Sequence, residues 1–228
     1  MRIDICIPAH NEAQIIEGSV AAVQAALSRF SDAHIIVVDN ASTDATAGRA
    51  AVTGAQVLSI SIKGKGAAVV AAAAQSSADM FGFIDADLSA DPADIAGLVE
   101  LILRGECDIA IGSRLMDTRI VARTFLRTLS SRIFNLLRYL LIGVKVHDTQ
   151  CGLKLMNRKG TAVLAACSET GWFFDMEFLA RAEKQGLRIK EVPVHWDEHR
   201  FPERQSKLRM LRDGFGAVAA MLRIRRAR

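Results

Sequence analysis

Along the first half of the chain, short apolar runs alternate with longer segments whose apolar positions recur every three to four residues. Ile3-Asp4-Ile5-Cys6-Ile7 reads as a buried strand, Ala13 to Arg29 as a helix, and His34 to Asp39 as a second strand. The continuous apolar run of that second strand marks a strand covered on both faces. Ser42-Thr43-Asp44 offers helix-capping oxygens, Val57 to Ile60 reads as a third strand, and Gly66 to Gln75 as an alanine-rich helix. Met80 to Ile84 is a fourth strand. Asp91-Pro92 then places a capping carboxylate before a proline at the first helical position, which predicts a helix reaching about Arg104. Cys107 to Gly112 is a fifth strand. This βαβαβαβαβ run demands an α/β fold with a mostly parallel, Rossmann-like sheet flanked by helices, and binding sites in such sheets lie beyond the carboxyl ends of the strands.

The second half is less regular. A long amphipathic helix is expected near Ala122 to Leu141, a short segment around Cys151 to Met156, helices near Arg158 to Ala166 and Asp175 to Gln185, and a strand near Ile189 to Trp196. No linker, repeat or low-complexity tract separates the halves, so one domain over residues 1–205 is expected, followed by a basic amphipathic helix over 206–228. In that helix Leu208, Leu211, Phe215, Val218 and Leu222 form one stripe, bordered or opposed by Arg209, Arg212, Arg223 and Arg226. The layout suits an interfacial helix on acidic lipid headgroups. A terminal helix packed on its own domain or on a second subunit would show the same stripe.

Composition narrows the classes. The chain has 228 residues, half of them hydrophobic, enough for a sizeable single core. Its four cysteines are scattered in apolar contexts without Cys-x-x-Cys pairing, which argues against a disulfide scaffold or a zinc site. The N-terminus enters a strand directly, without the regions of a signal peptide, so the expected location is cytoplasmic. No stretch reaches the roughly 18 to 20 uninterrupted apolar residues of a spanning helix. Net charge is only +4, with arginines crowded at the end of the chain, so no nucleic-acid partner is expected.

Polar residues gather at the predicted strand ends: Pro8-Ala9-His10-Asn11-Glu12 after the first strand, Asp39-Asn40-Ala41-Ser42 after the second, and Asp85-Ala86-Asp87 after the fourth. The period of two puts Asp85 and Asp87 on one side of an extended segment, where paired carboxylates can share a divalent cation, Mg²⁺ or Mn²⁺, with substrate phosphates. Alone, each of these groups is as readily a cap or a solvated turn. Their coincidence at one sheet edge favours a site. A dinucleotide fold would need Gly-x-Gly-x-x-Gly after the first strand, and a P-loop its Gly-Lys-Ser/Thr ending; neither is present.

Pro8 to Glu12, Val38-Asp39-Asn40-Ala41-Ser42, Lys65-Gly66, Asp85-Ala86-Asp87-Leu88 and Gly112-Ser113-Arg114 follow, in order, landmarks that resemble inverting family 2 glycosyltransferases acting on polyprenyl phosphates, among them dolichyl-phosphate mannose synthases. Asp148-Thr149-Gln150-Cys151-Gly152-Leu153-Lys154 and Trp172-Phe173-Phe174-Asp175-Met176-Glu177 are similar to the dolichyl-phosphate β-glucosyltransferase branch. The resemblance implies a GT-A fold and a nucleotide-sugar donor, with Pro8, His10, Glu12, Asp39 and Asn40 around the nucleoside. It also implies Asp85 and Asp87 on metal and diphosphate, and Lys65 assisting the nucleotide. His10 stands where tyrosine is usual, Asn40-Ala41 replaces Asp-Gly, and Ser89 occupies a position where some relatives place a glutamine near the metal.

The implied acceptor is a lipid phosphate. A phosphate monoester is largely ionised near neutrality, so it needs cations more than a general base. Arg127 and Ser131 share a face of the long helix and, with Arg114 at the sheet edge, form the expected acceptor site; otherwise they are a solvated helix face. Asp87, Arg114 and Asp175 are the candidates for the chemistry, Asp175 either catalytic or orienting Lys154 or Arg114. Glu177 reads as structural, Trp172 as core ahead of a sugar platform, although a partly exposed indole would suit a hexose, and His195 and His199 as fold or loop residues. Two other functions stay open: a soluble transferase acting on a hydroxyl or small-molecule acceptor with Asp175 as base, and a non-catalytic nucleotide-binding module.

Overall fold

The computed structural model describes residues 1–116, 139, 141–197, 200–201 and 221–225 of the chain. Seven strands, β1 (Ile3–Ala9), β2 (Ala33–Asn40), β3 (Gln56–Ile60), β4 (Met80–Phe83), β5 (Ile109–Ser113), β6 (Lys154–Asn157) and β7 (Ile189–Pro193), form one sheet in the order β3-β2-β1-β4-β6-β5-β7. The helices are α1 (Ile16–Leu27), α2 (Thr46–Ala51), α3 (Lys65–Gln75), α4 (Ile95–Leu103), α5 (Arg158–Ala165) and α6 (Phe174–Lys184).

The apolar runs become buried strands because side chains alternate between two covered faces. Ile3, Ile5 and Ile7 of β1 and Ile35 and Val37 of β2 face one core, shared with Ile16, Val20 and Val23 of α1 and Leu98 and Val99 of α4. Cys6, Ile36, Val38, Phe81 and Phe83 face the other, shared with Ala68, Val69, Ala72 and Ala73 of α3 and the apolar side of α6. Asp91 caps as predicted, its side chain accepting from Ala93 N, but the chain first makes a 3₁₀ turn over Pro92–Asp94 before α4 begins. The four cysteines are buried and unpaired, and burial pushes the thiol of Cys151 up to about 11, so it stays protonated at neutral pH.

The sheet is mostly parallel, as expected, and its one reversed strand shapes the site. Strand β6 runs antiparallel to both β4 and β5, with Phe83 opposite Lys154 and Ile111 also opposite Lys154. Because β6 is reversed, the residues that lead into it, 148–153, lie at the carboxyl edge of its neighbours, where the polar strand ends converge. The motif around Cys151 is thereby delivered to the same edge as Asp85.

Residues 221–225 pack against the sheet's helices. Met221 and Ile224 are buried in the α3–α6 core, and Arg223 Nη2 donates to Glu169 Oε2 at 2.9 Å. Of the predicted stripe, Leu222 is described and is exposed; Leu208, Leu211, Phe215 and Val218 lie outside the described residues, as does nearly all of the Ala122 to Leu141 segment.

Candidate active site

The ends of β1 and β2 lie side by side, with Pro8 opposite Val38 and Ala9 opposite Asp39. Short polar contacts then tie the following turns together. His10 Nδ1 is 2.8 Å from Asn40 O, Thr43 N donates to Asn11 Oδ1 at 2.7 Å, and Glu12 N donates to Thr46 Oγ1 at 2.9 Å. Asn40 spans to the next loop: its Nδ2 donates to Ile62 O at 2.6 Å and its Oδ1 accepts from Gly64 N at 2.7 Å. Asn11, Ala41 and Leu88 have φ of 52, 54 and 48°, so the turns after β1, β2 and β4 each hold a non-glycine residue in the left-handed region. Such strain clusters where a fold holds a binding surface. Asp39 is buried, and its Oδ1 has no hydrogen-bond partner. A buried acceptor without a donor is costly, and a ligand N–H would satisfy it.

Asp85 and Asp87 follow β4, both partly exposed. The turn is fixed locally: Leu88 N donates to Asp85 O, and Ser89 N to Asp87 Oδ1 at 3.1 Å. Lys65, at the first turn of α3, places Nζ 2.6 Å from Asp85 Oδ1, among the rings of Phe83, Trp172 and Phe174 with centroids at 5.8, 5.6 and 5.9 Å. Burial alone would lower the Lys65 ammonium, but the negative charges of Asp85, Asp175 and Asp87 outweigh it and hold the pKa above its ordinary value. Lys65 is therefore a nearly buried cation at the site, not a solvated turn residue. Gly152 lies against the other side of Asp85, where a Cβ would come within 2.2 Å of Oδ2, so only glycine leaves that carboxylate in place.

Arg114 follows β5 and is clamped by Asp148. Its backbone N and Nε reach Oδ2 at 2.9 and 2.7 Å, and its Nη2 reaches Oδ1 at 2.7 Å. The guanidinium lies over Trp196, 4.8 Å from the ring centroid. Burial would lower its pKa, but Asp148 raises it further, and the charge of Asp85 is close enough to add to this. Arg127 and Ser131, the other expected acceptor residues, lie outside the described residues.

Asp175 does not face the cleft. It is 1% exposed, with Lys154 Nζ 2.6 Å from Oδ1, and Lys154 is itself fully buried and donates to Cys151 O at 2.7 Å. Oδ1 has no aligned hydrogen-bond donor, so the contact is an ion pair held by charge. Burial pushes the Asp175 carboxyl up, against the pull of Lys154 and Lys65. In this geometry Asp175 is closed off by its neighbours and lies against Lys154, the arrangement that the orienting alternative calls for. Glu177 has a structural role, accepting from Ser168 N, Glu169 N and Arg181 Nε. Trp172 corrects the core expectation: it is 43% exposed beside Lys65. His195 pairs with Asp94 on a loop, and His199 lies outside the described residues.

Residues 4–164 match the Glycosyl transferase family 2 domain. The chain belongs to this family. Among family 2 relatives, glycosyltransferase AglD of Haloferax volcanii is 32% identical over 98% of this chain and 37% of its own length. The dolichyl-phosphate beta-glucosyltransferase of Drosophila melanogaster is 32% identical over 87% of this chain and 68% of its own. The chain thus spans little more than a third of the first of these relatives. The fold is that of the GT-A glycosyltransferases: glucosyl-3-phosphoglycerate synthase of Mycobacterium tuberculosis, solved with Mn²⁺, UDP and glucosyl-3-phosphoglycerate, superposes with a TM-score of 0.72 over 98% of this chain and 79% of that one, at 25% identity.

In sequence, residues 148–154 carry a resemblance without a role for Asp148 or Gly152, and Glu191 is only part of a strand. Glu191 accepts from the backbone N–H of both His147 and Asp148, at 2.8 and 2.9 Å. A carboxylate set in a strand that must pair with β5 was the available clue.

Proposed function

We propose that this family 2 enzyme transfers a hexose, with inversion, from a nucleotide diphosphate sugar, UDP-glucose in the first instance, to a polyprenyl phosphate. The observation that carries the reading is the pairing, at one sheet edge, of the Asp85 and Asp87 carboxylates with a preorganised arginine, Arg114, joined through residues 148–154. Pro8, His10, Glu12 and Asn40 border the nucleoside in this reading, and the unpartnered Oδ1 of Asp39 accepts the N–H of its base. One relative's name and the solved structure are in keeping with it: the Drosophila relative is named for dolichyl phosphate, and the mycobacterial synthase is held with UDP and Mn²⁺.

Asp85 and Asp87 are the residues that would hold a divalent cation. Both side chains are partly exposed at the sheet edge, and two neighbouring carboxylates suit an ion whose remaining ligands are water and diphosphate. When bound, Mg²⁺ or Mn²⁺ supplies positive charge against the departing diphosphate. Lys65 shares that task from the far side of Asp85. Arg114 holds the acceptor phosphate, whose oxygen attacks the anomeric carbon as the bond to the diphosphate breaks on the opposite face. The phosphate is ionised already, so no base is required, which agrees with the sealing of Asp175.

The test is to incubate the protein with UDP-glucose, Mn²⁺ or Mg²⁺, and either a short polyprenyl phosphate or 3-phosphoglycerate, and to weigh the products. A glycosyl phospholipid is expected; transfer only to phosphoglycerate favours the small-molecule reading. Asp87→Ala should lower turnover by about 10²- to 10³-fold, the scale of losing one preorganised charge stabiliser. Unchanged activity after exhaustive chelation would exclude the metal assignment.

No helix among the described residues is long and apolar enough to cross a membrane. We assign contact with the lipid surface to the stripe ending at exposed Leu222. Salt-sensitive co-sedimentation with anionic vesicles should be lost on truncation after Lys207.

A further inference from the structure

We propose that Asp148, held in turn by Glu191, is the positioning residue that aims Arg114 at the acceptor phosphate. The proposal rests on the reading of Arg114 as an acceptor contact. An arginine side chain is long and rotamer-rich, and one left free at a cleft would spend little time in any single pose. Here almost every degree of freedom is taken up. The Asp148 carboxylate grips Nε and Nη2 together in a fork and also accepts the Arg114 backbone N–H, so side chain and main chain are fixed by one group. Trp196 supports the flat face of the guanidinium. Among the described residues Nη1 makes no hydrogen bond, which leaves one edge of the cation available while 30% of the side chain remains exposed.

Asp148 is itself anchored rather than mobile. Its side chain is 3% exposed, and its backbone N–H is held by Glu191 Oε1, while Oε2 of the same carboxylate takes both the backbone N–H and the Nδ1 of His147. Glu191 lies on β7, opposite Ile111 of β5, the strand that ends at Arg114's neighbour Ser113. The brace therefore runs from a rigid strand, through two backbone amides, to the aspartate and on to the arginine. It closes on the strand that carries the arginine.

Acceptor KM with geranyl phosphate, at saturating UDP-glucose and Mn²⁺, reads this directly in the full chain. Asp148→Asn should raise acceptor KM by about ten- to a hundredfold, the scale of a charge-assisted contact, with donor KM within about twofold. Glu191→Gln should do the same more weakly. Arg114→Ala should match Asp148→Asn, and the double variant should be no worse than Arg114→Ala, because groups acting through one another are not additive. Multiplying losses, or an unchanged acceptor KM in both Asp148→Asn and Glu191→Gln while Arg114→Ala is impaired, would overturn the positioning role and leave the acceptor site standing. An unchanged acceptor KM in Arg114→Ala overturns both. Where Asp148→Asn also loses UDP binding by calorimetry, its fold is compromised, and Glu191→Gln decides the question.

Discussion

Two lysine–aspartate pairs share the ring of Phe83 and differ in almost everything else. Lys65 and Lys154 place Nζ 5.8 and 5.2 Å from that ring's centroid, and each is 2.6 Å from its carboxylate. The side chains of Lys65 and Asp85 are 9% and 26% exposed, at the cleft; those of Lys154 and Asp175 are 0% and 2%, sealed beneath it. A pair that touches solvent can exchange partners with a ligand at modest cost. A sealed pair has no such alternative, and its geometry is fixed at folding. The outer pair is thus the one a ligand can reach, and the inner pair holds β6 against α6, with Gly152 behind Asp85.

The comparison breaks most visibly at Lys154. Lys154→Met leaves the buried Asp175 carboxylate with only the charge of Lys65 to offset it, and loss of one partner of a buried pair costs about 3 to 5 kcal/mol. Urea unfolding should show that loss. Adding Asp175→Leu should recover most of it, since a buried pair can often be replaced by apolar side chains; a deficit of about 1 to 3 kcal/mol should remain because Cys151 O loses its donor. If the single variant is as stable as the parent, the pair is not sealed.

Lys65→Met sharpens the contrast from the other side. The carboxylate it leaves behind is partly hydrated, so stability should fall by no more than about 1 kcal/mol, or a few degrees in Tm. Binding should suffer more. The affinity for UDP with Mn²⁺, read by calorimetry, should fall about ten- to a hundredfold if the ammonium contributes charge to the diphosphate subsite. A variant that melts early but binds UDP normally would make Lys65 a structural cation like Lys154.

The two pairs also mark what could be read in the sequence. Strands β1, β2 and β4 were legible because a doubly covered strand is apolar throughout, and the polar groups at their ends stood out for the same reason. Asp85 and Asp87 needed only local spacing. Lys154 entered only as one of two residues that Asp175 could orient; its complete burial depends on that partnership, which no periodicity reveals. The reversal of β6 was hidden for a related cause, since a four-residue strand with lysine and asparagine at its ends carries little pattern. Asp148 and Glu191 meet across long separations in the chain, through backbone amides that have no sequence signature. Trp172 was misplaced because bulk argues for burial, while its exposure follows from the tight packing of residues 169–171 on the start of α3.

The smallest effect concerns a pair outside the site, where the sign of the pH response should oppose that of Asp175. Asp108 accepts from Arg188 N, Arg188 Nε and Asn157 Nδ2, and the Arg188 bond is the largest cause of a carboxyl pKa lowered from 3.8 to about 2. A carboxyl depressed in the folded state contributes stability that is present above the unfolded value and lost as pH falls through the folded one, here between about pH 4 and pH 2. Asp175, raised by burial, works the other way: the folded state holds its proton more tightly than the unfolded chain, so its contribution declines as pH rises above about 3.9. Arg188 is 58% exposed, so solvent screening limits the Asp108 contribution to under about 1 kcal/mol at neutral pH. Asp108→Asn should therefore lower the neutral-pH unfolding free energy slightly and flatten the acid limb of the stability curve, as measured by urea titrations from pH 2 to 7. An acid limb unchanged by Asp108→Asn would show that the depressed carboxyl responsible lies elsewhere, with Asp148, held low by Arg114, the next to test, since Asp175 acts with the opposite sign.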